Sequence, residues 1–349
     1  MLLSKLFVCT SFIFLPLILY SCTGDIRQHL PIDSPKKDVK VVDQKEISCT
    51  TMSVSFSHDG RFLASGGGDV CLWDIELDRL IKTYKTQPVE GIPKYIMSIA
   101  FSPNNSYIVT GSYDGVLRVW NLSTGSLLRQ LKGHTRVIRS VTYSTDGRYI
   151  ASGSYDGTVR LWNAHTGEQV RVFSGIASST ESVHFSPDDR LIIAGGIDGI
   201  VQLWDVTTGK QMGKYDISAD KMSARYAGFS PDGHRVYIVG FKGAIYRWDL
   251  SSARQTQISE NRIDLQGFSA DLSPDGQKII VGAYGLIGLV GADSGRAINV
   301  FQAGDQEIRG LAFGPDGKHY ASVGYDGVLR LWDIQKSEPM QTFKYKEPG

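Results

Sequence analysis

Residues 141 to 163 read VTYSTDGRYIASGSYDGTVRLWN. Apolar and polar side chains alternate along Val159-Arg160-Leu161-Trp162, the two-residue period of a half-buried strand rather than the 3.6-residue period of a helix. Thr145-Asp146-Gly147 and Asp156-Gly157 interrupt the apolar runs. Each is a tight-turn signal, with Gly where positive φ is needed. The stretch therefore predicts three short strands joined by two hairpins. Asn163-Ala164-His165-Thr166-Gly167 then offers a further turn into a fourth strand.

Outward from this stretch the same phrase returns. Residues 54–74 read VSFSHDGRFLASGGGDVCLWD, residues 99–121 IAFSPNNSYIVTGSYDGVLRVWN, and four further copies follow, which makes seven. Their anchoring residues are Trp73, Trp120, Trp162, Trp204, Trp248, Val290 and Trp332, at intervals of 47, 42, 42, 44, 42 and 42. A period near 43 is a repeat architecture, so a length of 349 residues does not imply several unrelated domains. Four strands per period make one blade. A lone four-stranded sheet leaves both faces uncovered, and radial stacking of seven buries each face against the next.

At this point the chain resembles the WD-repeat family, whose phrase ends in Trp-Asp and often begins with Gly-His. The resemblance spans residues 39–349 and implies an all-β fold, a seven-bladed WD-repeat β-propeller of four-stranded antiparallel blades. Copies two and three carry Trp-Asn, and copy one is shortened at Gly66-Gly67-Gly68. Copy six lacks both Asp and Trp, which makes it the irregular blade. The family's outer strand of the last blade comes from the N-terminus. VKVVDQKE at 39–46 stands in that place, yet PMQTFKYK at 339–346 competes for the same slot. The N-terminal segment is expected to win, because it joins the two ends of the ring.

Residues 1–22 carry Lys5 and then an apolar run from Leu6 to Tyr20, the length of a signal-peptide core. Leu19-Tyr20-Ser21-Cys22 resembles the lipobox of bacterial lipoproteins, which implies lipidation of Cys22 and a place in the bacterial cell envelope. Thr23 after the Cys implies the outer membrane where the enteric sorting rule applies. The alternative is an uncleaved membrane anchor, since residues 6–24 contain no charge. Residues 23–38 are polar and contain Pro31 and Pro35, so they read as a tether that reaches roughly 50 Å when extended. Of four cysteines only Cys49 and Cys71 fall in the body. Placed before the first strand and on the third of one sheet, they would lie two strand spacings apart, so two free thiols are expected.

Chemistry is sought without success. Lys plus Arg number 37 against 36 acids, a formal charge of +1, which argues against nucleic acid as a partner. The seven histidines have no metal spacing, and no G-x-S-x-G elbow is present. No catalytic residue, metal site or cofactor is expected. By resemblance, His134, Ser152, Asp156 and Trp162 form the hydrogen-bonded tetrad that pins a WD-repeat blade. That network is structural, so His134→Ala should cost stability and leave binding specificity alone.

The turns between strands two and three share a rim with the entries to strand one. Tyr113, Tyr155, Phe241 and Tyr325 stand before those turns, and Met97, Arg139, Arg225, Phe268 and Arg309 stand at the entries, alongside Met52 and Glu181. Family resemblance makes these positions a partner-binding rim, and Tyr and Arg are residue types that dominate interfaces. The expected function is a monomeric, non-enzymatic, membrane-tethered scaffold that presents the rim to a protein or peptide. Charge reversal of Arg139 and Arg225 to Glu should abolish capture and leave the fold intact. The rival reading, an enzyme or small-ligand or metal receptor in the central channel, has only His184 and Asp271 to draw on.

Overall fold

The computed structural model describes residues 41–42, 52–86, 91, 95–175, 179–218, 223–258 and 267–344. The signal segment, Cys22, the tether at 23–38, and Cys49 lie outside them. Among the described residues the chain forms five four-stranded sheets and one sheet of eight strands. Each four-stranded sheet is an antiparallel meander in chain order. In the repeat containing His134 the strands are Ile138–Tyr143, Tyr149–Ser154, Val159–Asn163 and Gln169–Phe173. The eight-stranded sheet joins the last two repeats through Ala297–Phe313, which is the outer strand of the sixth and the inner strand of the seventh.

Six of the seven repeats are closed at their lower turn by the same device, with Asn104 for Asp in the second, and the seventh has Gly314 in place of the Ser. Ser144 Oγ donates to Asp146 Oδ1 at 2.7 Å and accepts the Tyr149 N–H at 2.9 Å, so the Ser-x-Asp phrase satisfies the turn with its own side chains. In copies two and four, Asn105 and Asp189 adopt φ 54° and 59° where the other copies have Gly, a conformation Asn and Asp tolerate. The core is divided between blades. One cluster joins Val109, Leu117 and Val119 to Ile138, Val141 and Trp162, thus repeats two and three. Another joins Val323, Leu329 and Phe343 of repeat seven to Val54, Leu63 and Trp73 of repeat one, and this contact makes the series a closed ring. The resulting all-β architecture fits a WD-repeat propeller.

Two expectations are overturned. Pro339–Lys344, not the N-terminal segment, is the fourth strand of the last blade: it pairs antiparallel with Val328–Asp333. Val41–Val42 adds outside it, in parallel, opposite Thr342 and Phe343. The C-terminal segment follows its neighbour strand after a short turn, so pairing costs little loop entropy. Cys71 is also not a free thiol. It is disulfide-bonded, with its partner outside the described residues. Strand spacing limits reach within one sheet, whereas Cys71 is fully buried in the cluster that two sheets share, those of repeats one and seven. In the sixth repeat Val290 is fully buried in the Trp place, and Tyr284–Gly291 follows Lys278–Gly282 with only Ala283 between.

Candidate functional site: the upper rim

The tetrad residues come together. His134 Nδ1 lies 2.8 Å from Asp156 Oδ2, His134 Nε2 lies 2.8 Å from Ser152 Oγ, and Trp162 Nε1 donates to the same hydroxyl at 2.9 Å. A carboxylate only accepts, so Nδ1 carries the proton and Nε2 accepts from Ser152. Burial alone would raise the Asp156 carboxyl, but hydrogen bonds from His134 and Thr158 hold it far below the ordinary Asp value. The network is closed on itself and leaves no group for a substrate. Repeats two and seven replace the histidine with an arginine on their third strand. Arg118 pairs with Asp114 at 2.6 Å and Arg330 with Asp326 at 2.7 Å, while the indoles still reach Thr110 and Ser322. The third copy also has Arg two residues before its Trp, as Arg160, so that spacing alone does not mark the exchange.

Backbone bonds tie the two sets of rim positions together. The Tyr113, Tyr155, Phe241 and Tyr325 N–H groups donate to Tyr95, Val137, Ser223 and Glu307 carbonyls, so each turn abuts the entry to its own inner strand. Glu181, with only 1% of its side chain exposed, is the hub of one side. Its Oε2 lies 3.3 Å from Arg139 Nε and 2.9 Å from Arg225 Nη1, and its Oε1 accepts the Tyr155 hydroxyl at 3.0 Å. Burial works against the Arg139 charge, and Glu181 and Tyr155 more than offset it. The Arg225 guanidinium lies over Phe241 at 5.1 Å, and Phe241 meets Phe268 edge-on at 5.7 Å. Arg309 lies between the Phe268 and Tyr325 rings, at 5.1 and 4.3 Å, and pairs with Glu307 at 2.5 Å.

These contacts revise the expectation for the arginines. Arg139 and Arg225 hold a buried carboxylate, so reversing both would set three carboxylates against one another and damage the fold as well as any interface. Exposed aromatic side chains also gather where the rim crosses repeats seven, one and two, with Tyr95 edge-on to Tyr113 at 6.3 Å. There Met52, Tyr95, Met97, Tyr113 and Tyr325, with Gly324 and Gly327, line a cavity of about 320 Å3. Tyr95 and Tyr113 are each 43% exposed and Tyr325 52%, against a cavity wall of half-buried methionines. Tyr95 escaped the repeat argument because it belongs to the longer connection behind the 47-residue interval.

The channel groups have structural partners. His184 Nδ1 donates to the Ala227 carbonyl at 2.9 Å, and burial lowers its pKa. Asp271 accepts the Phe313 and Leu272 N–H groups at 2.7 and 2.9 Å, and burial raises its pKa to about 7. Tyr226, at a position that is Ser in five of the repeats, leans on the His184 ring at 5.1 Å and stands over Gly228. Among the described residues no group of three or more His, Cys, Asp or Glu could hold a metal ion.

Family models match this chain in blocks. The WD domain, G-beta repeat model matches residues 44–74 and 295–333, and the IFT122 first beta-propeller model matches residues 95–265. The chain therefore carries WD40 repeats. It is 34% identical over 102 residues to the transcriptional corepressor LEUNIG_HOMOLOG of Arabidopsis thaliana, covering 26% of this chain and 12% of that protein. Protein tipD of Dictyostelium discoideum is 35% identical over 91 residues, 26% of this chain and 13% of tipD. WD repeat-containing protein VIP3 of Arabidopsis thaliana is 36% identical over 92 residues, 23% of this chain and 29% of VIP3. The alignments thus span less than a third of these relatives. WD-repeat proteins generally bind other proteins.

Proposed function

We propose that the protein is a non-enzymatic scaffold, tethered to a membrane through its N-terminus on the extracytoplasmic side, that takes a protein or peptide partner on its upper rim. The observation that carries this reading is the set of exposed Tyr95, Tyr113 and Tyr325 side chains around an unfilled rim cavity, since exposed aromatics grouped around a pocket are costly unless something covers them. The lipobox-like Leu19-Tyr20-Ser21-Cys22 supports the tether. The Cys71 disulfide supports an oxidising compartment, because such bonds are rare in reducing cytosol. The His134, Glu181, His184 and Asp271 networks spend their polar groups on internal partners, which favours a scaffold over channel chemistry.

Two measurements test the proposal. The intact mass of the N-terminal peptide from detergent-extracted membranes, beside Cys22→Ser, should show a lipid-modified start at Cys22. An unmodified Met1 start would refute lipidation. A photo-crosslinker placed at Tyr113 should trap one defined envelope protein, and the same group at Met212, exposed on the outer strand Gln211–Asp216, should not. Equal trapping at both sites would refute the rim.

A further inference from the structure

The inner-strand entries run Met52, Met97, Arg139, Glu181, Arg225, Phe268 and Arg309 around the ring. The two methionines are thus adjacent, with Arg309 on one side and Arg139 on the other. Repeat one also has no aromatic before its turn. Its Gly66-Gly67-Gly68 sequence leaves a gap between Tyr325 and Tyr113, and the methionines line the cavity within that gap. A volume of about 320 Å3 is at the low end of ligand pockets, room for one or two large side chains rather than an extended cofactor.

The charges beside the cavity are unequal. No charged side chain lines the cavity among the described residues; beside its two methionines, around the channel entrance, stand three arginines, Arg139, Arg225 and Arg309, against two carboxylates, Glu181 and Glu307, and Arg309 reaches the cavity wall at the Tyr325 ring. Arg225 Nε and Arg309 Nε are buried donors with no hydrogen-bond partner. The carboxylates near the gap are already engaged: Asp326 by Arg330, Asp114 by Arg118, and Asp69 by the Thr86 N–H at 2.9 Å. An arriving cation would have to compete with these arginines for a carboxylate. An arriving carboxylate meets a guanidinium of five donors whose partner, Glu181, is shared between two arginines.

We infer that the cavity takes one large apolar side chain from an acidic peptide segment, with carboxylates within a few residues of it meeting Arg139 or Arg309. The inference rests on the rim reading above and names the chemistry of its partner. Methionine walls suit it, because unbranched thioether side chains repack around different aromatic or aliphatic shapes.

The test uses the full chain in detergent and a displayed library of random dodecapeptides as the probe. Selected peptides should converge on one large apolar residue with Asp or Glu close by. Binding should fall about tenfold in Met97→Glu and in Met52→Glu, and should fall severalfold between about 0.05 and 0.5 M salt, where charge attraction is screened. Leu128→Glu, exposed on the outer strand Leu127–Lys132, should change nothing. Thermal melts of each variant establish that it is folded. A basic or charge-free consensus, or binding unaffected in both methionine variants, overturns the inference. If Tyr155→Ala alone abolishes binding, the rim reading stands and the cavity assignment falls. If Leu128→Glu abolishes binding, or the library yields no binder, both fall.

Discussion

His134→Ala isolates the contribution of the tetrad. The imidazole is fully buried, and its removal deletes one hydrogen bond to a carboxylate and one to a hydroxyl. The first is worth about 1.5–3 kcal/mol and the second about 1 kcal/mol. Asp156 keeps the Thr135 N–H, the Thr158 N–H and the Thr158 hydroxyl, whereas Ser152 keeps the Trp162 indole as a donor and its own buried O–H loses its acceptor. With the void left by the ring, the loss should be about 3–5 kcal/mol. Repeats couple mainly to their neighbours, so the effect should concentrate in the third repeat. Amide exchange followed by mass spectrometry should show faster exchange across residues 134–163 than across the fifth repeat. The cost should also shrink in acid. A carboxyl held below its ordinary value of 3.8 contributes stability above that value and loses it as pH falls, and the variant has less of this contribution to lose. Unchanged exchange in the third repeat at pH 7 would refute the assignment.

Three other outcomes are expected. Asp271 titrates near 7 when folded, so the folded chain retains a proton that the unfolded chain releases above about pH 4, and stability falls as pH rises towards 7. The melting-temperature advantage of wild type over Asp271→Asn should therefore decrease from pH 4 to pH 8, and a constant gap would exclude a raised carboxyl. A methyl on Gly213 would stand 2.5 Å from the Trp248 ring of the next blade, so Gly213→Ala should lose about 1–3 kcal/mol in urea unfolding; a wild-type midpoint would mean the ring yields freely. Cys71 should resist alkylation of the denatured chain until reductant is added, and reduction should cost about 2–4 kcal/mol. Labelling before reduction would show the bond absent.

Local chemistry was legible in the sequence, and relations between blades were not. Val159-Arg160-Leu161-Trp162 and the Ser-x-Asp turns declare their strands and hairpins within a few residues, because the period of alternation and the turn chemistry are local. His134, Ser152, Asp156 and Trp162 belong to a single phrase and could be named together. Glu181 could be placed on the rim, but its role required two arginines from flanking repeats, each more than 40 residues away in sequence. The competition between 339–346 and 39–46 was visible as a conflict. Its outcome depended on the turn that places Pro339–Lys344 beside Val328–Asp333. No pattern announced the Cys71 bond, because disulfide pairing is a matter of proximity in space rather than spacing in sequence.

Ala297–Phe313 crosses from one blade to the next without a break. Between the second and third blades residues 133–137 leave the strand pattern, but the sixth and seventh share a continuous strut. Twisting one relative to the other requires bending a hydrogen-bonded strand, so the pair moves as a double-width wedge. A breathing motion of the ring must then open along some other seam, and a protease that samples such motions should find its first cut away from this strand.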